Sequence, residues 1–254
     1  MLKIMGVQAV RFGKAILKNE YAKGLKVNKE EYTVIKIKFE QRDKELIEKI
    51  KRYAANLARK VNTGAANGTI ADREYSIRYK DALSGVLAEY ACRTAINGYV
   101  GRKCAFATEC SDVKRQIDIL LENKKTIEVR SSCMRNGILF SMFNKKSNGD
   151  QYFDILGPYH ADYKPDEPKK DYYMRVLYPV NKIYMDKFLN DLDKFEMYLV
   201  GGATWDMMCN KDIFQLKTLR PNESDVDEEG NYRVIPIHKG LEIFTLLERI
   251  KHEL

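Results

Sequence analysis

Residues 116–121 read Gln-Ile-Asp-Ile-Leu-Leu, and after a short polar segment residues 126–132 read Thr-Ile-Glu-Val-Arg-Ser-Ser. Both stretches are rich in aliphatic and β-branched residues, which predicts two strands joined as a hairpin. Side chains alternate between the two faces of a strand, so Glu128 and Arg130 share one face and the apolar residues on either side of Glu128 share the other. The hairpin is therefore expected to carry an apolar face for the core and a charged face for chemistry.

The length of the turn decides where Asp118 lies relative to Glu128. An even-numbered turn in regular register places Asp118 opposite Val129, with the two carboxylates on different faces. A three-residue turn over 122–124, with its second or third residue in the left-handed conformation, places Asp118 opposite Glu128 at about 5 Å. Carboxylates this close repel each other unless a cation joins them, and Mg²⁺ suits such a pair. The alternative is a solvated surface hairpin.

A third acidic residue precedes the hairpin. Residues 71–98 are predicted to form a helix, and Glu89 lies at the edge of its apolar stripe. This places a carboxylate on a helix that packs near the hairpin. The alternative is an exposed pair between Glu89 and Arg93, which would contribute only a few tenths of a kcal/mol.

The order of a helical Glu, a strand Asp and a strand Glu-x-basic resembles the PD-(D/E)XK nuclease superfamily, the fold of many restriction endonucleases. The resemblance implies that Glu89, Asp118, Glu128 and Arg130 are catalytic. It also implies that Mg²⁺ or Mn²⁺ is held by Asp118, Glu128 and the carbonyl of Val129, with Glu89 contributing directly or through water. The fold it implies is a mixed central β-sheet flanked by helices, in the α/β (α+β) class.

Arg130 stands where the superfamily has a lysine. A guanidinium stays protonated, so it can stabilise charge on phosphate but cannot act as a general base. Further polar and basic residues after the hairpin are predicted to contact the DNA backbone, with ordinary surface polarity as the alternative: Ser131, Ser132, Arg135, Lys145 and Lys146. Lys169 and Lys170 could also contact the DNA backbone, but exposed loop lysines are more usually part of the solvated surface, and they are interpreted in that way.

The composition favours an intracellular protein that binds an anionic partner. The net charge is +8, and residues 1–70 contain 16 Lys and Arg against 7 Asp and Glu, a balance of +9. Such an excess suits double-stranded DNA, although a solvated lysine-rich helix is the alternative. No run of about 18 apolar residues and no secretory signal is seen, so no membrane partner and a cytoplasmic location are expected. The 5 cysteines form no Cys-x-x-Cys pair, which argues against zinc or iron-sulfur sites.

These observations predict two parts of the chain: a basic, mainly helical region at 1–70 for gripping or recognising DNA, and a nuclease core at 71–254. The predicted function is a restriction-type endonuclease that hydrolyses phosphodiester bonds in double-stranded DNA. The resemblance also implies a homodimer, so that both strands are cut. Two alternatives stay open, a non-catalytic DNA-binding protein on a nuclease fold and a repair or recombination nuclease that acts on ends or branches.

Overall fold

The computed structural model describes residues 11–18, 31–60, 74–108, 117–133, 154–159, 169–178, 180, 184–192, 195–219, 230–236 and 239–254. The strands are β1 Arg11–Lys18, β2 Glu31–Lys38, β3 Ala105–Ala107, β4 Ile119–Leu121, β5 Thr126–Cys133, β6 Asp154–Tyr159, β7 Tyr172–Tyr178, β8 Glu196–Thr204, β9 Gln215–Leu219, β10 Gly230–Pro236 and β11 Leu241–Glu242. The helices are α1 Lys44–Lys60, α2 Tyr75–Val100, α3 Met185–Asn190, α4 Trp205–Cys209 and α5 Ile243–Glu253.

The main sheet is mixed and has the strand order β1-β2-β8-β7-β5-β4-β3, with β11 also paired to β8. Its neighbouring strands are antiparallel except for β5 and β7, which run parallel. A second, antiparallel sheet has the order β6-β10-β9. The predicted mixed sheet flanked by helices, in the α/β class, is therefore confirmed at that level of description.

One face of the main sheet packs against helices. The large core contains side chains from α1, α2, α5 and the strands between them, and it includes Ile127 and Val129 of β5. The even-numbered residues of β7 join this core, whereas Tyr173 packs with α4 and β10 on the opposite face. Since Glu128 pairs with Tyr173 in the parallel ladder, the charged face of β5 lies on the side away from the helical core.

Helix α2 is the central helix of this core. It buries 12 of its residues, many of them alanines, so neighbouring elements can approach it closely. Its end is set by Gly101, which has a φ of 87° and whose N–H bonds to the carbonyl of Asn97. The predicted helix over 71–98 agrees with the observed bounds to within a few residues.

The region 1–70 departs from the expected organisation. Its described elements include two strands as well as α1, because the alternating residues of β2 pair with β8 inside the main sheet. Helix α1 buries Ile47, Ile50 and Ala54 in the core that it shares with α2. A mainly helical region is thus only partly observed, and the described residues on either side of position 70 share one core.

Two further features of the described residues bear on the sequence predictions. No helix among them combines the length and the apolar character needed to cross a membrane. Cys92 and Cys104 are buried free thiols, as expected, whereas Cys209 is exposed. The strand predicted at 137–143 lies outside the described residues.

Candidate active site

The turn between β4 and β5 contains three residues, as predicted. The N–H of Leu121 bonds to the carbonyl of Lys125 at 2.8 Å, and the N–H of Lys124 bonds back to the carbonyl of Leu121 at 2.9 Å. Lys124 has a φ of 69°, the left-handed conformation that an odd turn of this kind requires. The side chain of Asn123 accepts a hydrogen bond from the N–H of Lys125 and braces the turn.

This turn sets the register that brings the two strand acids together. Ile119 pairs with Ile127 and Leu120 with Thr126. The same register, continued by one residue, places Asp118 opposite Glu128. Asp118 is only 8% exposed, and its Oδ2 accepts a hydrogen bond of 2.7 Å from the N–H of Val129.

The third acid, Glu89 on α2, lies within electrostatic reach of the strand acids. Burial raises the pKa of Glu89 to about 8; the positive charge of Arg93 opposes that rise, and the negative charge of Glu128 adds to it. Burial, followed by the charges of Glu128 and Glu89, raises the pKa of Asp118 well above its usual range, against the opposing effects of Val129 N–H and Arg130. Glu89, Asp118 and Glu128 therefore lie within electrostatic reach of one another, and we call them the acid cluster.

Cys92 of α2 is buried in the same core as Ile119 of β4. Burial raises the pKa of Cys92 well above its usual value, and the charges of Asp118 and Glu89 raise it further. Cys92 lies three residues after Glu89, so both project from the same side of the helix. The positive charge of Arg93 offsets only part of the rise in the pKa of Glu89, so the Glu89–Arg93 pair does not behave as an ordinary surface ion pair.

Two cations face the two oxygens of Glu128. The Nη2 of Arg130 lies 3.1 Å from Oε1, and the Nζ of Lys170 lies 3.9 Å from Oε2. The side chain of Arg130 is 22% exposed, whereas that of Lys170 is only 3% exposed. The buried Arg175 pairs with Arg130 across the β5–β7 ladder, which adds positive charge to the same face.

Lys170 was missed by the sequence reasoning, which placed it among solvated loop lysines. It lies two residues before β7, every residue of which is buried, and that position carries it into the sheet. Its neighbour Asp171 accepts hydrogen bonds from the N–H and hydroxyl of Thr126 at 2.8 and 3.0 Å. The N–H of Asp171 returns a bond of 3.1 Å to the carbonyl of Thr126. These contacts join the starts of β5 and β7 and hold Lys170 beside Glu128.

A separate group of polar contacts fixes the turn end of the hairpin. Glu253, in the last turn of α5, accepts hydrogen bonds from the Nζ of Lys125 at 2.5 Å and from the hydroxyl of Tyr172. The side chain of Asn123 donates to the carbonyl of Glu253 at 2.8 Å. We call Glu253, Lys125, Tyr172 and Asn123 the Glu253 clamp. It ties the carboxyl-terminal helix to the two strands that carry Glu128 and Lys170.

The structure bears on some of the predicted DNA-contacting residues. Ser131 is partly exposed and lies on β5 directly after Arg130. The backbone of Ser132 belongs to β5, but its side chain lies outside the described residues, as do Arg135, Lys145 and Lys146. The site as described therefore comprises the acid cluster with Arg130, Lys170 and Val129.

A divalent cation fits this arrangement in part. Over the described part of the chain, no group of three or more His, Cys, Asp or Glu residues is arranged to hold a metal ion. Mg²⁺, however, is commonly held by one or two carboxylates with waters and phosphate oxygens. Burial and nearby negative charge raise the pKa values of Asp118 and Glu89, which indicates a site in which added positive charge would be favourable. The donors are oxygens, which suits a hard cation.

Comparison with known proteins supplies one relative and no family. No family model matches the chain, and no solved structure matches it. An uncharacterized protein of Methanocaldococcus jannaschii is 29% identical over 164 residues, which cover 54% of this chain and 54% of the relative. The chain thus matches about half the length of that relative.

Proposed function

We propose that this protein is a metal-dependent endonuclease that hydrolyses phosphodiester bonds in double-stranded DNA, on a restriction-endonuclease-like fold. One observation carries the proposal: Asp118, directly before β4, lies opposite Glu128 of β5, and the two oxygens of Glu128 face Arg130 and Lys170. Burial and neighbouring negative charge raise the pKa values of Asp118 and Glu89 beside this pair. Perturbed titratable groups of this kind concentrate at functional sites. Their order along the chain is the one that the resemblance requires.

In this proposal, carboxylate oxygens of Asp118 and Glu128 and the carbonyl of Val129 hold a Mg²⁺ or Mn²⁺ ion, and Glu89 contributes directly or through water. The ion, when bound, lowers the pKa of a coordinated water and neutralises charge on the phosphate. The hydrogen bond from the Val129 N–H fixes the direction of the Asp118 carboxylate. Since that bond occupies Oδ2 of Asp118, its Oδ1 is the freer oxygen for a ligand.

Arg130 is the residue that stabilises negative charge in this scheme. Hydrolysis forms a bond from a water oxygen to phosphorus and breaks the bond from phosphorus to a sugar oxygen, with charge building on the phosphate oxygens. A guanidinium held in place before the reaction stabilises that charge without reorganisation. Glu128 orients it at 3.1 Å, on the face of β5 that points away from the helical core.

A plasmid assay tests this function. Supercoiled and linear duplex DNA are incubated with the protein in Mg²⁺, Mn²⁺ or EDTA, beside Asp118→Ala and Glu128→Ala. Discrete fragments that disappear with EDTA and with either substitution are expected of a restriction-type endonuclease. Shortening from the ends would indicate a repair or recombination exonuclease instead. Absence of cleavage with every metal, together with salt-sensitive DNA binding, would contradict the catalytic proposal.

A non-catalytic DNA-binding protein is the second candidate. The observation that favours it is the Glu128–Arg130 ion pair, because an Arg that neutralises a metal-binding carboxylate would suit a site that has lost its ion. Direct titration separates the two candidates. Mn²⁺ binding that Glu128→Gln removes supports the enzyme, whereas DNA binding without any Mn²⁺ binding supports the binding protein. Light scattering with and without DNA tests the proposed homodimer.

A further inference from the structure

We propose that the Lys170 ammonium binds a non-bridging oxygen of the scissile phosphate and stabilises the charge that builds there during hydrolysis. This inference rests on the proposed nuclease function. It assigns a catalytic role to a residue that lies 42 positions after Glu128 in the chain and just before a different strand, β7. Lys170 then acts from one side of Glu128 and Arg130 from the other.

The burial of Lys170 is the first observation behind the proposal. Lysine is almost never fully buried unless it is paired, because removal of an ammonium group from water costs several kcal/mol. Its side chain is only 3% exposed, and its Nζ lies 3.9 Å from Oε2 of Glu128. Its neighbour Lys169 is exposed, so the segment does not bury lysines in general. A buried pair of this kind is weak evidence for stability and better evidence for function.

The second observation is how Lys170 is held. Asp171 is bonded to Thr126 through both its backbone and its carboxylate, so the chain directly after Lys170 is fixed to the start of β5. Parallel pairing then continues from Ile127–Tyr172 along both strands. The ammonium is thus delivered to Glu128 by rigid strand contacts, and such preorganisation is what stabilisation of a transition-state charge requires.

The third observation is that the two carboxylate oxygens of Glu128 face different cations. Oε1 faces Arg130 and Oε2 faces Lys170. If Glu128 ligates a metal ion, its ion pairs with Arg130 and Lys170 weaken. Both cations then face the negative phosphate that lies beside the ion. Lys170 is then a compact charge that needs no fixed plane, whereas Arg130 presents a planar fork. The two residues therefore make different contributions to the same phosphate.

The experiment compares Lys170→Met with Lys169→Met as the matched surface control. Single-turnover cleavage at saturating protein is measured with an oligonucleotide duplex and with its stereopure phosphorothioate analogues. We expect Lys170→Met to lower the rate by about 100-fold, the loss seen on removal of one preorganised donor. Lys169→Met should leave the rate unchanged. Lys170→Arg should recover part of the loss.

Two readouts separate a catalytic from a structural role. Replacement of one particular non-bridging oxygen by sulfur should slow the wild-type protein and have a much smaller effect on Lys170→Met. Mn²⁺ binding, measured without DNA, should be retained or tightened in Lys170→Met because a competing cation is gone. Lys170→Gln repeats both measurements if the Met variant does not fold.

The outcomes are distinguishable. The role of Lys170 would be overturned if folded Lys170→Met cleaved DNA at the wild-type rate, or if it kept the full sulfur effect at both oxygens. Either result would leave the nuclease proposal standing. Loss of Mn²⁺ binding in that variant would instead mark a structural role and also overturn it. No cleavage by the wild-type protein with any metal would overturn both proposals.

Discussion

The pKa values of carboxylates near the two ends of the β4–β5 hairpin are shifted in opposite directions. At the turn, partial burial opposes ionisation of Glu253, but hydrogen bonds from Lys125 and Tyr172 outweigh it and lower its pKa below the usual value. In the acid cluster, burial dominates, and the neighbouring carboxylates push the pKa values of Asp118 and Glu89 upward. The negative charge of Glu253 is compensated within the fold, whereas the charge of the acid cluster is compensated only in part.

This difference shows which of the two groups, the Glu253 clamp or the acid cluster, has a structural role. A carboxylate that accepts several charged or hydroxyl donors gains stability from its environment, as the Glu253 clamp does. Carboxylates that raise one another's pKa values cost stability when ionised, and a fold keeps such an arrangement where it serves another purpose. The four predictions below test this contrast.

The largest expected effect is on cleavage by Glu128→Gln. Loss of one carboxylate charge from the acid cluster should reduce the single-turnover rate by about 1,000-fold, equivalent to about 4 kcal/mol of transition-state stabilisation. Glu253→Gln should change this rate little, because the clamp lies at the turn. Quenched-flow cleavage with labelled duplex measures both. Equal losses in the two variants would show that the hairpin is disturbed as a whole.

The second effect is on the pH dependence of folding without metal. A carboxyl group whose pKa rises from 4.5 to about 8 in the folded protein stabilises the folded state at low pH. This stabilisation is fully present below pH 4.5 and is lost as the pH rises through 8. A rise of one in the pKa corresponds to about 1.4 kcal/mol of folding free energy, so a rise of two corresponds to about 3 kcal/mol. Glu89→Gln should therefore lose less stability than the wild type between pH 5 and 8.5 in EDTA.

Urea unfolding at several pH values provides the measurement for Glu89. Glu242→Gln is the control, since Glu242 is exposed. Mg²⁺ should restore the stability of the wild type at pH 8.5 more than at pH 5. Parallel pH profiles for the wild type and Glu89→Gln would mean that the acid cluster carries no net strain.

The third effect concerns Arg130. Arg130→Lys keeps the charge but loses the planar fork, so we expect about a tenfold slower cleavage, about 1.4 kcal/mol. Arg130→Met should lose considerably more. The same single-turnover assay compares them. A Lys variant as slow as the Met variant would show that a bidentate contact, and not charge alone, is what Arg130 supplies.

The smallest effect is on the stability of Glu253→Gln. Loss of the charge-assisted bonds to Lys125 and Tyr172 should cost about 1 kcal/mol at pH 7. Because the pKa of Glu253 is lowered in the folded protein, this contribution is present above the unfolded pKa and disappears as the pH falls through the folded value. Chemical unfolding at pH 7 and pH 3 measures it. An equal deficit at both pH values would contradict the account.

The acid pair shows how far local sequence can predict a site. The three-residue turn and the left-handed Lys124 follow from residues within the hairpin, and the register that places Asp118 opposite Glu128 follows from them. The bounds of β7 could also be predicted, because a run of aromatic and aliphatic residues ends at a proline. These features depend on hydrogen bonds and side-chain alternation over a few neighbouring residues.

Other parts of the main sheet were not predictable in this way. β1 was not anticipated, because it pairs with β2 alone among the described strands. Gly201 and Gly202 are a second example, because what they contact, β11 and β7, is distant from them in the chain. In the structure both residues lie inside β8, where a side chain would overlap the backbone carbonyls of Leu241 and Tyr173.

The sequence by itself determined the hairpin and the helix that carries Glu89, and it made the facing of Asp118 and Glu128 depend on the length of one turn. The structure shows the odd turn that this facing requires. Only the tertiary structure decided that Lys170 lies buried beside Glu128. The physical reason is that parallel pairing of β5 with β7 joins segments separated by about 40 residues, and their neighbourhood depends on how the whole chain packs. Local patterns specify strands and turns, whereas the counter-charges that surround an acid come from the assembled sheet.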